Sequence, residues 1–509
     1  MLFNSYIFIL VFLPIVMAGF VWLGRRSPRL TAGWLVLASL FFYGWWNPPY
    51  VLILCGSIVV NFLFGGAISR AGGGRKALLW AGIGFNLLLF GYYKYAGFFV
   101  DSWNGVSGGS FSLGDILLPI GISFYTFTQI AYLVDCHRGR AEDYDLLNYA
   151  LFVSFFPQLL AGPILHHSEM MPQFAAKDAD PAGYRLTSEN MAVGSTIFII
   201  GLFKKVVLAD GVAPFANTAF AAAEAGESLD LLTAWVGILA YTFQLYFDFS
   251  GYSDMAIGLA RMFGIILPLN FASPYKARSM SQIWQSWHMT LSRFLRDYIY
   301  IPLGGNRRGV ARRYVNMFVT MLLGGMWHGA GWTFIVWGAV MGVFMLIHQA
   351  WEDLGFSGRL PGRVCWAMTF LAILTSLTFF RAESLSGAWA MLVAMAGANG
   401  AVMPNVVLDM LGILGDGLRG LGVAGIEGPR VPFLMPWLWI AVLGGLAFFA
   451  PNTQQIMARY KPALVMMEPP APAALTWYPS LRWAAATAVL ALIAFLSLAR
   501  PSEFLYFQF

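Results

Sequence analysis

Apolar runs of about 20 residues recur along almost the whole chain, from Leu2 to Leu498, and the loops between them collect most of the charge. A run of that length crosses the hydrocarbon core of a bilayer as a helix, because only a helix satisfies its own backbone groups there. Charged residues make up 11% of the 509 positions and hydrophobic residues 59%, whereas soluble domains carry about 25% charged residues. A transmembrane β-barrel would instead show short segments of alternating polarity. The composition and its patterning therefore predict an all-α, polytopic integral membrane protein.

The distribution of Lys and Arg predicts its orientation. Arg25, Arg26 and Arg29 follow the first run, Arg70, Arg75 and Lys76 the third, and Arg138 and Arg140 the fifth, while the turn Asn47-Pro48-Pro49 is uncharged. Basic residues thus load alternate loops, which places those loops in the cytoplasm and the N-terminus outside. Continued along the chain, this gives about eleven or twelve spans with both termini external. The net charge of +6 reads as topology and not as a nucleic-acid surface. The run from Leu146 to Leu165 carries Pro157 and Pro163 and is expected to be re-entrant. A span near Met191 to Leu208 should lead to an acidic external loop beginning at Asp210. Lys204 and Lys205, late in that span, either face an aqueous cavity or snorkel. From Pro268 to Tyr314 the chain is strongly basic, and Trp284, Trp287, Leu291, Phe294 and Tyr298 fall on one face of an expected amphipathic helix at the cytoplasmic surface. A Gly- and Pro-containing external loop reaches Pro432, and Met466 to Pro479 reads as an irregular connection. Residues 1–509 form one membrane-embedded domain ending in a short external aromatic tail, 500–509.

Chemistry has few places to reside. Only six histidines occur. His288 sits among arginines, and His328 lies in a nearly uncharged apolar run; each follows a tryptophan. An imidazole within a span is costly and so raises a functional hypothesis, with a packing role as the alternative. A neutral imidazole at 328 could serve as general base towards a hydroxyl. Asp248, Ser250 and Asp254 lie in one apolar run and should face the protein interior, either as a packing network or in a direct role. His166 and His167 lack further ligands at metal spacing, and Cys55, Cys136 and Cys365 form no metal or disulfide pattern, so no metal site is expected. No nucleophile elbow, phosphate loop or dinucleotide fingerprint occurs in a strand–helix context.

Longer motifs carry more. Tyr246-Phe-Asp-Phe-Ser-Gly-Tyr-Ser-Asp-Met-Ala-Ile-Gly258, Trp287-His-Met-Thr-Leu-Ser-Arg-Phe-Leu-Arg-Asp-Tyr298, Pro302-Leu-Gly-Gly-Asn306 and Leu323-Gly-Gly-Met-Trp-His-Gly-Ala330 follow one another in order. Earlier, Leu118-Pro-Ile-Gly-Ile-Ser-Phe-Tyr125 and Ala161-Gly-Pro163 join them. Together they closely resemble the membrane-bound O-acyltransferase family, in the branch of the bacterial alginate O-acetylation and teichoic-acid D-alanyl transfer proteins. The resemblance covers roughly residues 1 to 450 and is weakest near 400 to 430. It implies a ring of helices around a central tunnel, with His328 as the essential intramembrane histidine and His288 as the second motif histidine. Trp287, Arg293, Arg296, Asn306 and Trp327, with Asp248, Ser250 and Asp254, are expected to line or support that tunnel.

The same resemblance implies that a thioester donor, acetyl-CoA or an acylated carrier protein, arrives from the cytoplasm and that no cofactor is permanently bound. Acetyl would then cross the bacterial inner membrane for O-acetylation of an exported polysaccharide, alginate-type by first choice, with cellulose or peptidoglycan as alternatives. A separate periplasmic acetyltransferase would complete the transfer. The tail Glu503-Phe-Leu-Tyr506-Phe-Gln-Phe509 resembles the aromatic ending of the small peptide that works with the teichoic-acid transferase. Tyr506 is thus either an interfacial anchor or a transient acyl carrier. A conduit for an acyl donor or lipid without its own chemistry, and a scaffold for a secretion complex, are the competing classes.

Overall fold

The computed structural model of the protein describes residues 1–114, 116–141, 145–180, 183–465, 469–500, 502 and 505. The N-terminal third holds α1 (Leu13–Gly24), entered through a π turn at Phe8–Phe12, then α2 (Pro28–Gly44), α3 (Pro49–Arg70), α4 (Arg75–Ser107) and α5 (Ile122–His137). Prolines in the first turns of α1, α2 and α3 start these helices where no backbone hydrogen bond is lost. After α6 (Leu146–Ser154) and the single turn α7 (Phe156–Leu159) comes α8 (His167–Ala179). All residues from Leu151 to His167 are buried. Where the helix breaks, Phe156 N donates to Ser39 Oγ of α2 at 3.0 Å. Irregular backbone sunk this deep has to be enclosed by protein and given partners, which agrees with a re-entrant segment.

The centre of the molecule is α9 (Ser188–Phe203), α10 (Asp210–Glu224) and α11 (Leu231–Met262). A π turn at Lys204–Ala209 fuses α9 and α10 into one 37-residue run. This corrects the expected external loop at Asp210: the helix continues through it to Glu224. It can do so because the charges there are paired, as described below. α11 starts at Asp230, whose side chain accepts from the N–H groups of Leu232 and Thr233. Two glycine pairs let α9 and α11 approach. A Cβ on Gly194 would stand 2.6 Å from Gly258 O, and one on Gly201 would stand 2.5 Å from Gly251 O. The pairing order reverses along the two helices, so they run antiparallel with backbones in near contact.

The rest of the chain comprises α12 (Met280–Ser286), α13 (Met289–Leu295), α14 (Val310–His328), α15 (Trp332–Asp353), α16 (Gly362–Arg381) and α17 (Leu385–Met395). Then follow β1 (Ala401–Pro404), α18 (Asn405–Met410), α19 (Ile413–Gly420), β2 (Val423–Ile426), α20 (Arg430–Phe449), α21 (Thr453–Ile456) and α22 (Leu481–Ser497). The stretch read as a plain external loop carries two short helices and a small parallel ribbon, β1 with β2. The single amphipathic helix expected across His288 is also corrected. It is two short helices broken at His288, which has φ 42°, with a π turn at Arg296–Tyr300 beyond. Trp284 and Trp287 of this region face Trp337 and Tyr275, not a lipid surface.

Among the described residues five helical runs are long and apolar enough to cross a membrane: Pro49–Arg70, Ser188–Glu224, Trp332–Asp353, Gly362–Arg381 and Arg430–Phe449. The other long helices, α4 and α11, carry more polar residues, and α11 is enclosed on nearly every face. Its C-terminal half, Tyr252 to Met262, packs into a core built from α1 to α9. Its N-terminal half, Ala234 to Phe249, packs into a second core with α10, α12, α15 to α17 and α20. α11 is therefore the spine joining the two.

Candidate active site

His328 is the last residue of α14, and the chain leaves the helix at Gly329 in extended conformation. Its ring is 7% exposed and sits edge-on between Trp327, Trp337 and Phe380, with centroids 5.0, 5.1 and 5.1 Å away. His288, 1% exposed, caps α13 in the left-handed region, which costs a non-glycine residue about 1–3 kcal/mol and marks positions held by their surroundings. Those surroundings are visible. Met289 N donates to Asn270 O at 3.0 Å, and Ala272 N to Ser286 O at 2.9 Å. Asn270 Oδ1 accepts from Thr290 Oγ1 at 3.0 Å and lies 3.1 Å from His288 Nδ1. That oxygen can only accept, so Nδ1 carries the proton and Nε2 is the basic nitrogen.

The indole of Trp327 stands between the two histidines. Its ring centroid is 6.1 Å from His288 and 5.0 Å from His328. Phe127 stacks on it at 5.2 Å and holds it in place. Two cavities lie end to end along α14. One, of about 560 Å³, is bordered by Thr290, Arg293, Arg296, Asn306, Thr320 and Met321. The other, of about 270 Å³, is bordered by Lys94, Ser123, Leu160, Trp327 and His328. Thr320 and Trp327 are two helical turns apart, about 10 Å. The motif Leu118–Tyr125 supplies one wall of the smaller cavity. There Gly121, at φ 75°, is required twice over, since a Cβ would also meet Leu159 O at 2.7 Å.

The other residues expected at the site divide by environment. Arg293 borders the larger cavity while forming a bidentate pair with Glu169 of α8. Arg296 is more exposed and pairs with its neighbour Asp297 at 2.7 Å. Asn306 accepts from the Tyr300 hydroxyl. Trp287 stacks on Tyr275 beside a narrow cleft. Asp248, Ser250 and Asp254 are not among the residues bordering the two cavities. Asp248 lies 2.5 Å from Lys205 Nζ, which also donates to Asp210 at 2.7 Å. Asp254 accepts from Lys204 at 2.9 Å, Thr453 at 2.6 Å and Gln454 at 3.2 Å. Leu505 is buried in the second core. Tyr506 lies outside the described residues.

Sequence reading missed several contributors. Asn270 had no local signal. Lys94 was not singled out, and it lies inside α4, which runs on to Ser107; a lone lysine inside an apolar run was the available clue. Lys205 was noted without a partner, and the partner, Asp248, lies on another helix.

The smaller cavity is bordered by Trp327 and His328, and the larger by Met289 and Thr290, the two residues that follow His288 in the chain. Residues 137–354 match the model of the membrane-bound O-acyltransferase family, MBOAT. The peptidoglycan O-acetyltransferase of Helicobacter pylori is 44% identical over 431 residues, covering 79% of this chain and 80% of that one. The probable alginate O-acetylase AlgI of Pseudomonas aeruginosa is 42% identical over 403 residues, covering 78% and 75%. The teichoic acid D-alanyltransferase of Streptococcus thermophilus is 30% identical over 244 residues, covering 46% and 57%.

Proposed function

The chain belongs to the membrane-bound O-acyltransferase family, and from that premise we propose a route for the acetyl group it transfers. The protein is an integral membrane O-acyltransferase serving O-acetylation of an exported polysaccharide. In the proposed route a thioester donor, acetyl-CoA or an acylated carrier, docks at the basic end and extends its acyl chain into the larger cavity past Arg293 and Arg296. The acetyl carbon then reaches the Trp327 ring between the two histidines. On the far side His328 takes the proton of an acceptor hydroxyl, and the hydroxyl oxygen attacks the acetyl carbon. The carbon–sulfur bond breaks, and the departing sulfur takes a proton to leave as free thiol. His288, whose Nδ1 lies 3.1 Å from Asn270 Oδ1, acts on the thioester side.

The observation that carries this route is the Trp327 ring flanked by His288 and His328, with the smaller cavity bordered by Trp327 and His328 and the larger by Met289 and Thr290, next to His288 in the chain. In this reading the acceptor hydroxyl belongs to Tyr506, which would pass acetyl to a separate periplasmic acetyltransferase and so to the polysaccharide. The buried Leu505, the preceding residue, supports a tail that folds inward. The basic loops would face the cytoplasm of a bacterial inner membrane and both termini the periplasm.

Proteoliposomes loaded with the purified protein and given labelled acetyl-CoA, or a labelled carrier, test the route. Label should appear on the protein or a periplasmic acceptor, and His328→Ala should abolish it. A Tyr506→Phe variant that keeps full polysaccharide acetylation in cells would remove the tyrosine relay while leaving the rest. Ester acetate measured on muropeptides and on exopolysaccharide of a deletion strain identifies the acceptor.

A further inference from the structure

The end of α14 is closed in an unusual way. Helices commonly finish on a left-handed glycine that returns N–H groups to the last carbonyls. Here Gly329 is extended, at φ −155° and ψ 153°, so that closure is absent and the last carbonyls need donors from elsewhere. Two consecutive residues of α4 supply them. The Tyr95 hydroxyl donates to Met326 O. Lys94 Nζ donates to Trp327 O at 2.7 Å and to His328 O at 2.8 Å. These last two are the carbonyls of two residues that border the smaller cavity.

A hydroxyl or a water would cap a helix more cheaply than a buried amino group, whose desolvation is costly. The negative end of the helix dipole and the Phe90 ring, 5.8 Å away, offset part of that cost. Lys94 also borders the same cavity as His328. A protonated amine has three N–H groups, and the two carbonyls occupy two of them.

We propose that Lys94, in its charged form, is a positioning residue for acyl transfer: it fixes the backbone beneath Trp327 and His328, and its remaining N–H presents positive charge to the smaller cavity, where the acetyl oxygen becomes negative. This rests on the acyl-transfer route above. In the addition step the acceptor oxygen bonds to the acetyl carbon and the carbonyl π pair moves onto oxygen. When the thiol departs, that pair returns. A fixed cation beside the oxygen stabilises the intermediate state more than either end state.

Initial rates of labelled acetyl transfer and thermal midpoints, measured on Lys94→Met, Lys94→Gln, Lys94→Arg and Tyr95→Phe in detergent, separate charge from capping. Lys94→Met should lose about 10²–10³-fold in kcat with an unchanged KM for the donor. Lys94→Arg, which keeps the charge, should recover most of that loss. Lys94→Gln should restore the thermal midpoint but not kcat. Tyr95→Phe, which removes a cap and no charge, should lower the midpoint and leave kcat within about threefold, as expected for one neutral hydrogen bond. The inference is overturned if Lys94→Gln matches the parent protein in kcat, or if Lys94→Met costs no more turnover than Tyr95→Phe. A parent protein whose transfer is unaffected by His328→Ala would overturn the acyl-transfer route itself, and this inference with it.

Discussion

Two parts of the interior hold polar groups at similar depth and treat them in opposite ways. On α9 to α11, Lys205 is held by Asp248 and Asp210, and Lys204 by Asp254, with side-chain exposures of 12% or less throughout. No described cavity is bordered by the three carboxylates. On α13 and α14, His288 and His328 are walled by aromatic rings, and open space borders the indole between them. The first arrangement compensates buried charge and tightens the α9–α11 contact. The second sets His328 at the border of a cavity and His288 one aromatic ring behind it. Burial of a titratable group is thus a poor guide by itself; access decides whether it can do chemistry.

The sharpest contrast lies in what a substitution damages. His328→Ala should lower transfer by about 10²–10⁴-fold, the range for a general base, with little change in the thermal midpoint. Lys205→Met should act the other way round. Removing one partner from a buried ion cluster costs about 3–5 kcal/mol, read as loss of folded protein in a detergent melt. Adding Asp248→Leu and Asp210→Asn to that variant should recover much of the stability, and failure to recover would mean the cluster does more than balance charge.

Smaller effects refine the picture of the spine. Gly201→Ala places a methyl against Gly251 O and should cost about 1–3 kcal/mol by overpacking. Gly33→Ala, where nothing lies within 4 Å, should stabilise α2 by about 0.5–1 kcal/mol. The smallest effect is expected at the rim: Arg296→Ala breaks an exposed pair with Asp297 and should change stability by about 1 kcal/mol or less. A larger loss of transfer than of stability there would bring Arg296 into donor binding.

The membrane class and the helical architecture were legible because each rests on a local signal: apolar run length and basic loops. The break at His288 was not. Helical spacing continues through it, and the force that overrides that spacing comes from Asn270, 18 residues away, through bonds to His288 and Thr290. The continuation of the helix past Asp210 was hidden for a similar reason. An acidic residue after an apolar run reads as a loop until its lysine partner is known, and here the lysine sits five residues earlier on the same π turn. Lys94 was hidden too, since the carbonyls it caps, those of Trp327 and His328, lie on another helix.

The thickness of the barrier at Trp327 has a consequence for the cell that houses the protein. If only a two-carbon unit has to travel beyond that indole, the bulky carrier never needs a passage of its own size. Behind that indole the rings of Phe127 and Phe294 stack 4.1 Å apart, adding a second aromatic layer. In that case the protein need not open to anything larger than the acetyl group itself.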